Sequence, residues 1–381
     1  MFHVEQRGAM MAAAAPRARS LSALARQRLT RNRPALAALV TLVAVALACL
    51  AGPFLTGHAP ERIYPDLVRM KPSLAAHPQP DTVRPAIERI AFRMRLAVED
   101  YAISDGTVRL TLASPKPINE RSLSYLPRSD LFGPARILER SADGRRLVVE
   151  TRVQRLRFLL GTDVVGRDLL TRCLVAGRIS LLIGLTATLV ALLVGVGYGA
   201  LSGMLGGVSD AIMMRVLDVL YALPFVFFVI VLLVFFRANL WLVLVAVAAV
   251  EWLDMARIVR TQTLALKGRD FVRAAQALGL TTGAILIRHI VPNTLGPIVV
   301  AATLLVPRVI LLESFLSFLG LGVQEPATSW GVLIAEGSRA LESAPWMLGA
   351  PAGFLVVSLI ALNVLGDGLA DALDPRLSEP R

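Results

Sequence analysis

Six long stretches with few charged side chains constrain the fold of this 381-residue chain more than any other feature. A helix needs about 20 residues to cross the roughly 30 Å hydrocarbon core of a bilayer. Helices of soluble proteins are usually shorter and amphipathic. The sequence therefore predicts an all-α polytopic membrane protein with six transmembrane helices. We place these helices at residues 34–56, 179–201, 219–236, 240–259, 296–319 and 349–369.

The basic residues predict how these helices are oriented. The net charge is +12, with 40 Lys and Arg against 28 Asp and Glu, which is typical of nucleic-acid binding or of cationic flanks beside membrane spans. Seven Arg precede the first span, and six Lys or Arg lie over residues 257–295. Short basic flanks stay in the cytoplasm. We therefore expect a multi-pass membrane protein with both termini cytoplasmic, and no nucleic-acid partner.

The segments outside the spans have distinct predicted roles. A basic cytoplasmic tail, an extracytoplasmic insert and a short cytoplasmic C-terminal tail are predicted at residues 1–33, 57–160 and 375–381. Within the insert, apolar residues at helical spacing predict a helix over Arg84–Glu99. Alternating residues after two Asp-Gly turn signals predict strands over 107–112 and 147–151. The insert is thus predicted to be a small α+β unit, and a loosely ordered loop is the alternative.

The chain lacks the motifs of an enzyme. There is no Walker A sequence, so any use of ATP is assigned to partner chains. A Ser-His-Asp site is disfavoured because His289 is the only His beyond residue 77. The scattered His residues, with Cys49 and Cys173, have no metal-ligand spacing. We therefore predict no catalytic, cofactor-binding or metal-binding residues in this chain.

Two groups of residues within the spans suggest contacts between helices. Gly195, Gly199 and Gly203 recur at every fourth position and predict a small-residue face for close helix packing. Arg308 and Glu313 are intramembrane charges near the middle of the fifth span. Five residues separate them, which is about 140° around a helix, so each is expected to meet a different neighbour. A proton or ion relay is the alternative reading of such charges.

The cytoplasmic segment 260–295 contains a predicted short helix. Ala274 and Ala275 give it a smooth face, Gly279 ends it, and Pro292 begins the next helix. A short projecting helix of this kind suits a groove in a partner protein. An amphipathic helix lying at the membrane surface is the alternative.

These residues resemble a known pattern, the EAA coupling loop of permeases in binding-protein-dependent ABC importers. Further stretches resemble dipeptide, oligopeptide and nickel permeases: Gly161-Thr162-Asp163, Gly166-Arg167-Asp168, Gly177-Arg178-Ile179-Ser180-Leu181, Met214-Arg215, Ala256-Arg257, Ser329-Trp330-Gly331 and Gly366-Asp367-Gly368-Leu369. Arg31-Asn32-Arg33-Pro34 is similar to the start of the second permease of such pairs. Two features depart from the family: Arg273 stands where the motif begins with an acid, and the insert is unusually long.

The resemblance implies a type I ABC importer permease fold over residues 161–374, with one chain forming half of a translocation pore. It implies a homologous permease as partner in a heterodimer, two ATP-binding subunits that carry ATP and Mg, and an extracytoplasmic solute-binding protein. Peptides are the expected cargo, and nickel or another small solute is the alternative. The ATPase-coupling residues implied are Arg273, Ala274, Ala275 and Gly279, with Arg257, Arg260, His289 and Pro292 positioning the loop.

Two other classes of function remain open. A secondary transporter working alone would need a deep ion relay and usually inverted repeats, and Arg308 with Glu313 is the only basis for one. A membrane anchor for the external insert is the other alternative. Over residues 56–178 the chain has 21 Lys and Arg against 14 Asp and Glu. We hypothesise that this insert widens the platform for the solute-binding protein.

Overall fold

The computed structural model describes residues 27–78, 80–104, 106–236 and 239–373, so most of the predicted N-terminal tail and the C-terminal tail lie outside it. The described chain is mainly helical and contains one small sheet. Its helices are α1 (Arg33–Leu55), α2 (Pro80–Met94), α3 (Leu169–Leu205), α4 (Gly207–Ala222), α5 (Phe225–Phe236), α6 (Leu240–Lys267), α7 (Asp270–Ala277), α8 (Thr282–Ile285), α9 (Val291–Phe318), α10 (Trp330–Arg339) and α11 (Trp346–Leu373). The strands are β1 (Ala97–Ser104), β2 (Thr107–Ala113), β3 (Arg136–Arg140) and β4 (Arg146–Arg152).

Four helical segments of the described chain are long and apolar enough to cross a membrane. They are α1, α3, the continuous segment Thr282–Phe318 and α11, which cover the first, second, fifth and sixth predicted spans. Helix α3 begins ten residues before its predicted start. The reason is a cap, since the Asp168 carboxylate accepts a hydrogen bond from the Thr171 backbone N–H at 2.8 Å.

The third and fourth predicted spans are not among these four. The helix predicted over 219–236 is broken at Pro224, between α4 and α5. Leu223 has extended backbone there, because a residue that precedes proline is disfavoured in the helical region. The prediction of one continuous helix is therefore wrong at this point. Helix α6 includes the fourth predicted span, but it is less apolar because it carries Glu251 and Asp254 near its middle.

Helix α3 is central to the helical part of the chain and packs against α1, α6, α9 and α11. One buried cluster joins α3, α6 and α9 around Ile183, Val247 and Val309. A second cluster joins α1, α3, α10 and α11. In the second, the buried Trp330 indole donates a hydrogen bond to the Cys173 carbonyl oxygen at 3.0 Å. In a membrane, contacts of this kind stabilise through close packing, since lipid tails are as apolar as the side chains.

The segment between α1 and α3 contains a separate α+β unit. Its antiparallel sheet has the order β1-β2-β4-β3. Helix α2 contributes Ile87 and Ile90 to a core that they share with Leu110, Leu147 and other inward side chains of the strands. These inward residues alternate with exposed ones along β2 and β4, as expected for a sheet with one buried face. The strands predicted over 107–112 and 147–151 are confirmed.

The helix of this unit differs in position from its prediction. It spans Pro80–Met94 rather than Arg84–Glu99. Arg95 has a positive φ of 57°, which ends the helix, because consecutive helical residues require negative φ. The residues that follow enter β1, where Val98 pairs with Leu112. Strand pairing has thus replaced the last turn of the predicted helix.

Candidate coupling site

The three glycines of α3 bring its backbone against α6. An added Cβ at Gly195 would lie 2.7 Å from the Met255 Cβ, and one at Gly199 would collide with the Ala256 carbonyl oxygen. Gly203 is equally close to α6. Side chains larger than hydrogen would therefore force the helices apart. The predicted small-residue face is the surface through which α3 and α6 meet.

An ion pair fixes the ends of these two helices to α4. The Arg260 guanidinium donates to both oxygens of Asp210, at 2.6 and 2.5 Å, and the Ser202 hydroxyl donates to the same carboxylate at 2.5 Å. The hydrogen bond from Arg260 is the main reason that the pKa of Asp210 is lowered to about 2. Nearby, the Lys267 ammonium donates to the Met204 carbonyl oxygen at 2.6 Å. Arg260, a predicted positioning residue, therefore links α6 to α4.

Helix α7 lies directly after α6 and is anchored on one face. Val272 and Ala275 are buried in a small cluster with Met204 of α3, Ile285 of α8 and Ile290. Burying a side chain the size of Val or Ile stabilises the fold by roughly 1.5 to 3 kcal/mol relative to leaving it in water, and burying Ala contributes less. The cluster connects the short helix to the end of α3.

The other face of α7 is exposed. Arg273 and Ala274 are on this face, so the two alanines predicted to form one smooth surface are divided between core and solvent. Leu278 and Ile287 are large apolar side chains with 80% and 73% exposure. Gly279 has a φ of +79°, a conformation that glycine adopts without strain. As predicted, it ends the helix.

The remaining predicted positioning residues occupy separate places. Arg257 donates to the Asp218 carboxylate at 3.0 Å and stacks over the Tyr221 ring, with its guanidinium carbon 4.6 Å from the ring centre. His289 is partly exposed in the π-helical turn Leu286–Ile290. Pro292 lies in the first turn of α9 as predicted, although α9 continues directly from that turn.

The intramembrane charge Arg308 meets two carboxylates of α6. Its Nη1 donates to the Asp254 Oδ2 at 2.6 Å, and its Nε lies 3.6 Å from the Glu251 Oε2. We call Glu251, Asp254 and Arg308 the Arg308 cluster. The Arg308 side chain remains 55% exposed.

Glu313 lies on another side of α9, as its spacing from Arg308 predicts. It is fully buried and accepts a hydrogen bond from the Ser317 hydroxyl at 2.7 Å. The Ser180 hydroxyl of α3 is 3.4 Å away and itself accepts from the Trp330 backbone N–H at 3.1 Å. The carboxyl group therefore joins α3, α9 and the start of α10 through hydroxyl groups.

A second set of ion pairs was missed by the sequence reasoning. Arg172, in the first turn of α3, donates two hydrogen bonds to Glu336 of α10, at 2.6 and 3.0 Å, and one to Asp163 at 2.8 Å. Arg167 also donates to Asp163, at 2.7 Å, and to Glu325 at 3.1 Å. We call these five residues the Arg172 cluster. Two of them, Asp163 and Arg167, lie in the resembling motifs, but the pair Arg172–Glu336 spans 164 positions in the sequence.

Across the described residues, no three His, Cys, Asp or Glu side chains are grouped so that they could hold a metal ion. The site therefore consists of an exposed short helix, the buried cluster that connects it to α3, and the ion pairs that fix the surrounding helices. Together with the four helical segments long and apolar enough to cross a membrane, these features define the class of the protein as a helical membrane protein.

Comparison with known proteins identifies the family. The family model described as "Binding-protein-dependent transport system inner membrane component" matches residues 195–379. The model of the "N-terminal TM domain of oligopeptide transport permease C" matches residues 20–73. Both the sheet and α2 lie outside these two matches.

Named relatives agree with these matches. The chain is 59% identical over 216 residues to the oligopeptide transport system permease protein OppC of Escherichia coli (strain K12), which covers 57% of this chain and 72% of that relative. It is 48% identical to OppC of Bacillus subtilis (strain 168), over 57% of this chain and 71% of that relative. The dipeptide transport system permease protein DppC of the same organism is 47% identical, over 57% and 68%. The chain belongs to the family of inner membrane permease components of binding-protein-dependent transport systems.

Proposed function

We propose that this chain is one permease subunit of an ATP-driven ABC importer and that it carries peptides across the cell inner membrane. The observation that carries the proposal is the 59% identity to an oligopeptide permease over 72% of that relative. The dipeptide permease at 47% identity supports the same cargo class. Nickel or another small solute remains the alternative cargo, because the family resemblance of the sequence includes such permeases.

The assembly we propose has a homologous permease as the second half of the pore. Two ATP-binding subunits bind below and carry ATP and Mg, so this chain performs no bond chemistry. A solute-binding protein docks from outside. In this arrangement all six predicted spans cross the membrane, with α4, α5 and α6 supplying the third and fourth, and both termini are cytoplasmic. The short basic flanks of the sequence support that orientation.

We infer that α7 is the helix that the ATPase moves. Its exposed Ala274, together with the apolar Leu278 and Ile287, offers a surface for a partner groove. Its buried side, through Val272 and Ala275, contacts the end of α3. Because α3 and α6 are closely packed, a displacement of α7 would move both helices as a rigid body. Such a transition switches a pore between two states when ATP binds one of them more tightly.

Gly279→Leu in the assembled transporter tests this role. A side chain at φ +79° is strained by roughly 1 to 2 kcal/mol, so the end of α7 should shift. We expect peptide-stimulated ATP hydrolysis and uptake in proteoliposomes to fall by about tenfold or more. Gly283→Leu is the matched control, because that glycine also has open space around it but no positive φ.

Unchanged coupling in Gly279→Leu would remove α7 from the mechanism.

Co-purification tests the class of transporter. A permease should associate stably with a second permease and two ATP-binding subunits. Peptide uptake by this chain alone would instead support the stand-alone secondary transporter.

We further infer that the α+β unit is extracytoplasmic and forms part of the docking platform for the solute-binding protein. The outer face of its sheet is rich in arginine. Arg109 and Arg136 both pair in register with Glu150, and Arg152 follows two residues along on the same face. The surplus of positive charge suits an acidic surface on the binding protein and would speed its association.

The unit can be removed without cutting the helical part. His77 and Leu156 exchange two backbone hydrogen bonds, at 2.7 and 2.8 Å, so residues 79–154 can be replaced by a short Gly-Ser turn. We expect the shortened chain to assemble and to bind the solute-binding protein about tenfold more weakly. Arg136→Glu should weaken docking too, whereas Arg93→Glu, on the exposed side of α2, should not. Full docking by the shortened chain would exclude this role.

A further inference from the structure

A cavity of about 400 Å³ lies between α6 and α9, near the middle of both helices. Apolar side chains such as Met255 and Leu304 form much of its wall, and Asp254, Arg257 and Arg308 supply charges. Small-molecule sites commonly have volumes of roughly 300 to 1,000 Å³ and combine apolar walls with a few polar groups. The cavity therefore has the size and the composition of a ligand site.

The charged groups at this cavity are incompletely paired. The one hydrogen bond that the Arg308 guanidinium makes within the described residues goes to Asp254, although the group has five N–H donors. Glu251 is 2% exposed, and its Oε2 has no hydrogen-bond partner there. Buried polar atoms nearly always have a partner. The cavity thus presents unused N–H donors of Arg308 beside the Asp254 carboxylate, whereas Glu251 lies buried behind Arg308, with its Oε2 3.6 Å from the Arg308 Nε.

The depth of the cluster indicates what it faces. At 1.5 Å per residue, Arg308 lies about 26 Å from the start of α9, well inside the membrane-crossing segment. A charged side chain at such a depth almost always faces the interior of a helix bundle or a water-filled path, because exposure to lipid is costly. We therefore expect the exposed side of Arg308 to face the interior of the assembled helix bundle or a water-filled path rather than lipid.

We propose that the Arg308 cluster binds the ionised ends of a peptide as it crosses the membrane. The free N–H groups of Arg308 bind the terminal carboxylate, since guanidinium groups match carboxylate geometry. The Asp254 carboxylate, which also lines the cavity and uses only its Oδ2 in the hydrogen bond from Arg308, accepts from the terminal ammonium group. The apolar wall contacts the side chains without selecting among them. This inference rests on the proposed function and names the place where the cargo touches this subunit.

The test measures peptide uptake by the complete transporter in proteoliposomes, with one binding protein in every assay. Tripeptides with free ends are compared with C-amidated and N-acetylated forms, for the wild type, Arg308→Gln and Asp254→Asn. The binding protein's own preference among the peptides cancels when the KM of each variant is divided by the KM of the wild type. The KM values of the wild type and Arg308→Gln, each measured with the free and the C-amidated peptide, form a thermodynamic cycle. This cycle isolates the coupling between Arg308 and the terminal carboxylate of the peptide.

We expect Arg308→Gln to raise the KM for the free peptide about tenfold, the loss of one charge-assisted hydrogen bond. The C-amidated peptide should show no such increase, and Arg308→Lys should restore part of the loss. Asp254→Asn should raise the KM for the free but not for the N-acetylated peptide. Leu311→Gln is the matched control, because Leu311 is exposed one turn further along α9 and should change neither KM.

Three results would overturn the inference. Equal losses for free and amidated peptides would make Arg308 a structural link between α6 and α9. Loss of co-purification with the second permease in Arg308→Gln, but not in Leu311→Gln, would make it a contact between permeases. A wild-type transporter that takes up no peptide would refute the proposed function itself. That failure is distinct from a failure of this inference, because it is seen in the wild type and does not depend on the variants.

Discussion

The Arg172 cluster and the Arg308 cluster use the same side-chain types in opposite ways. In the first, Asp163 has no exposure and both of its oxygens are satisfied, one by two backbone N–H groups and the other by Arg167 and Arg172. The Arg172 side chain is only 4% exposed. In the second, Arg308 is half exposed, and the buried Glu251 Oε2 has no hydrogen-bond partner in the described part of the chain.

The difference separates charges that hold a structure from charges that can still bind. A fully satisfied network rigidifies the elements it joins, here the start of α3 and α10. A partly satisfied one keeps capacity for a ligand at the cost of local stability. The two clusters therefore predict different responses to the loss of their arginine, and the following substitutions measure that difference.

Arg172→Gln should have the largest effect. The substitution leaves Glu336 without its cation and Asp163 with Arg167 alone, and removing one partner of a buried ion pair costs roughly 3 to 5 kcal/mol. The measurement is the thermal unfolding midpoint of the purified permease in detergent. Arg146→Gln is the control, since Arg146 pairs with Glu99 at an exposed position and should change stability by less than about 1 kcal/mol. Equal shifts for the two variants would show that the Arg172 cluster is not a stabilising network.

Local pattern was enough for much of the architecture. Alternation of apolar and polar residues predicted β2 and β4, and long stretches with few charged side chains predicted α1, α9 and α11. The third span failed because Pro224 interrupts a stretch whose composition is otherwise suited to a helix. The average hydrophobicity of the stretch hardly changes when one residue is proline. The helix, however, loses a backbone hydrogen bond there, because proline has no N–H group.

Pairing between distant residues was beyond the reach of pattern. Arg308 was recognisable as an intramembrane charge, but its partner Asp254 is 54 positions away and on another helix. Asp210 was not singled out, because it lies outside the predicted spans and nothing local marks it as the partner of Arg260. Such contacts follow from the packing of α3 and α6, which the glycine spacing predicted as a face without naming what it meets.

The Asp210–Arg260 pair is intermediate between the two clusters and should give stability a dependence on acid pH. The pKa of Asp210 is about 2, below its ordinary 3.8, because Arg260 hydrogen-bonds to the charged form. The stabilisation is therefore present above about pH 4 and is lost as pH falls towards 2. Unfolding midpoints between pH 5 and pH 2.5 should fall less steeply for Asp210→Asn than for the wild type.

Asp218→Asn is the matched control for that measurement. It removes a carboxylate from the exposed Arg257 pair, where solvent screens the interaction. Its pH dependence should resemble that of the wild type. A wild-type slope retained by Asp210→Asn would mean that other carboxylates control the acid response.

Arg308→Gln should have the smallest effect on stability in the absence of peptide. Its short ion pair is with a partly exposed carboxylate, and its contact with the buried Glu251 is 3.6 Å long, so the expected loss is smaller than for Arg172→Gln, whose guanidinium makes three hydrogen bonds of 3.0 Å or less. Measured beside Arg172→Gln under the same conditions, it should shift the unfolding midpoint several-fold less, although it changes the KM for free peptide. An equal shift in both variants would show that the Arg308 cluster is a second stabilising ion-pair network. An arginine that stabilises the protein so strongly without peptide would be fully bonded to Glu251 and Asp254 and would not be available to bind a peptide.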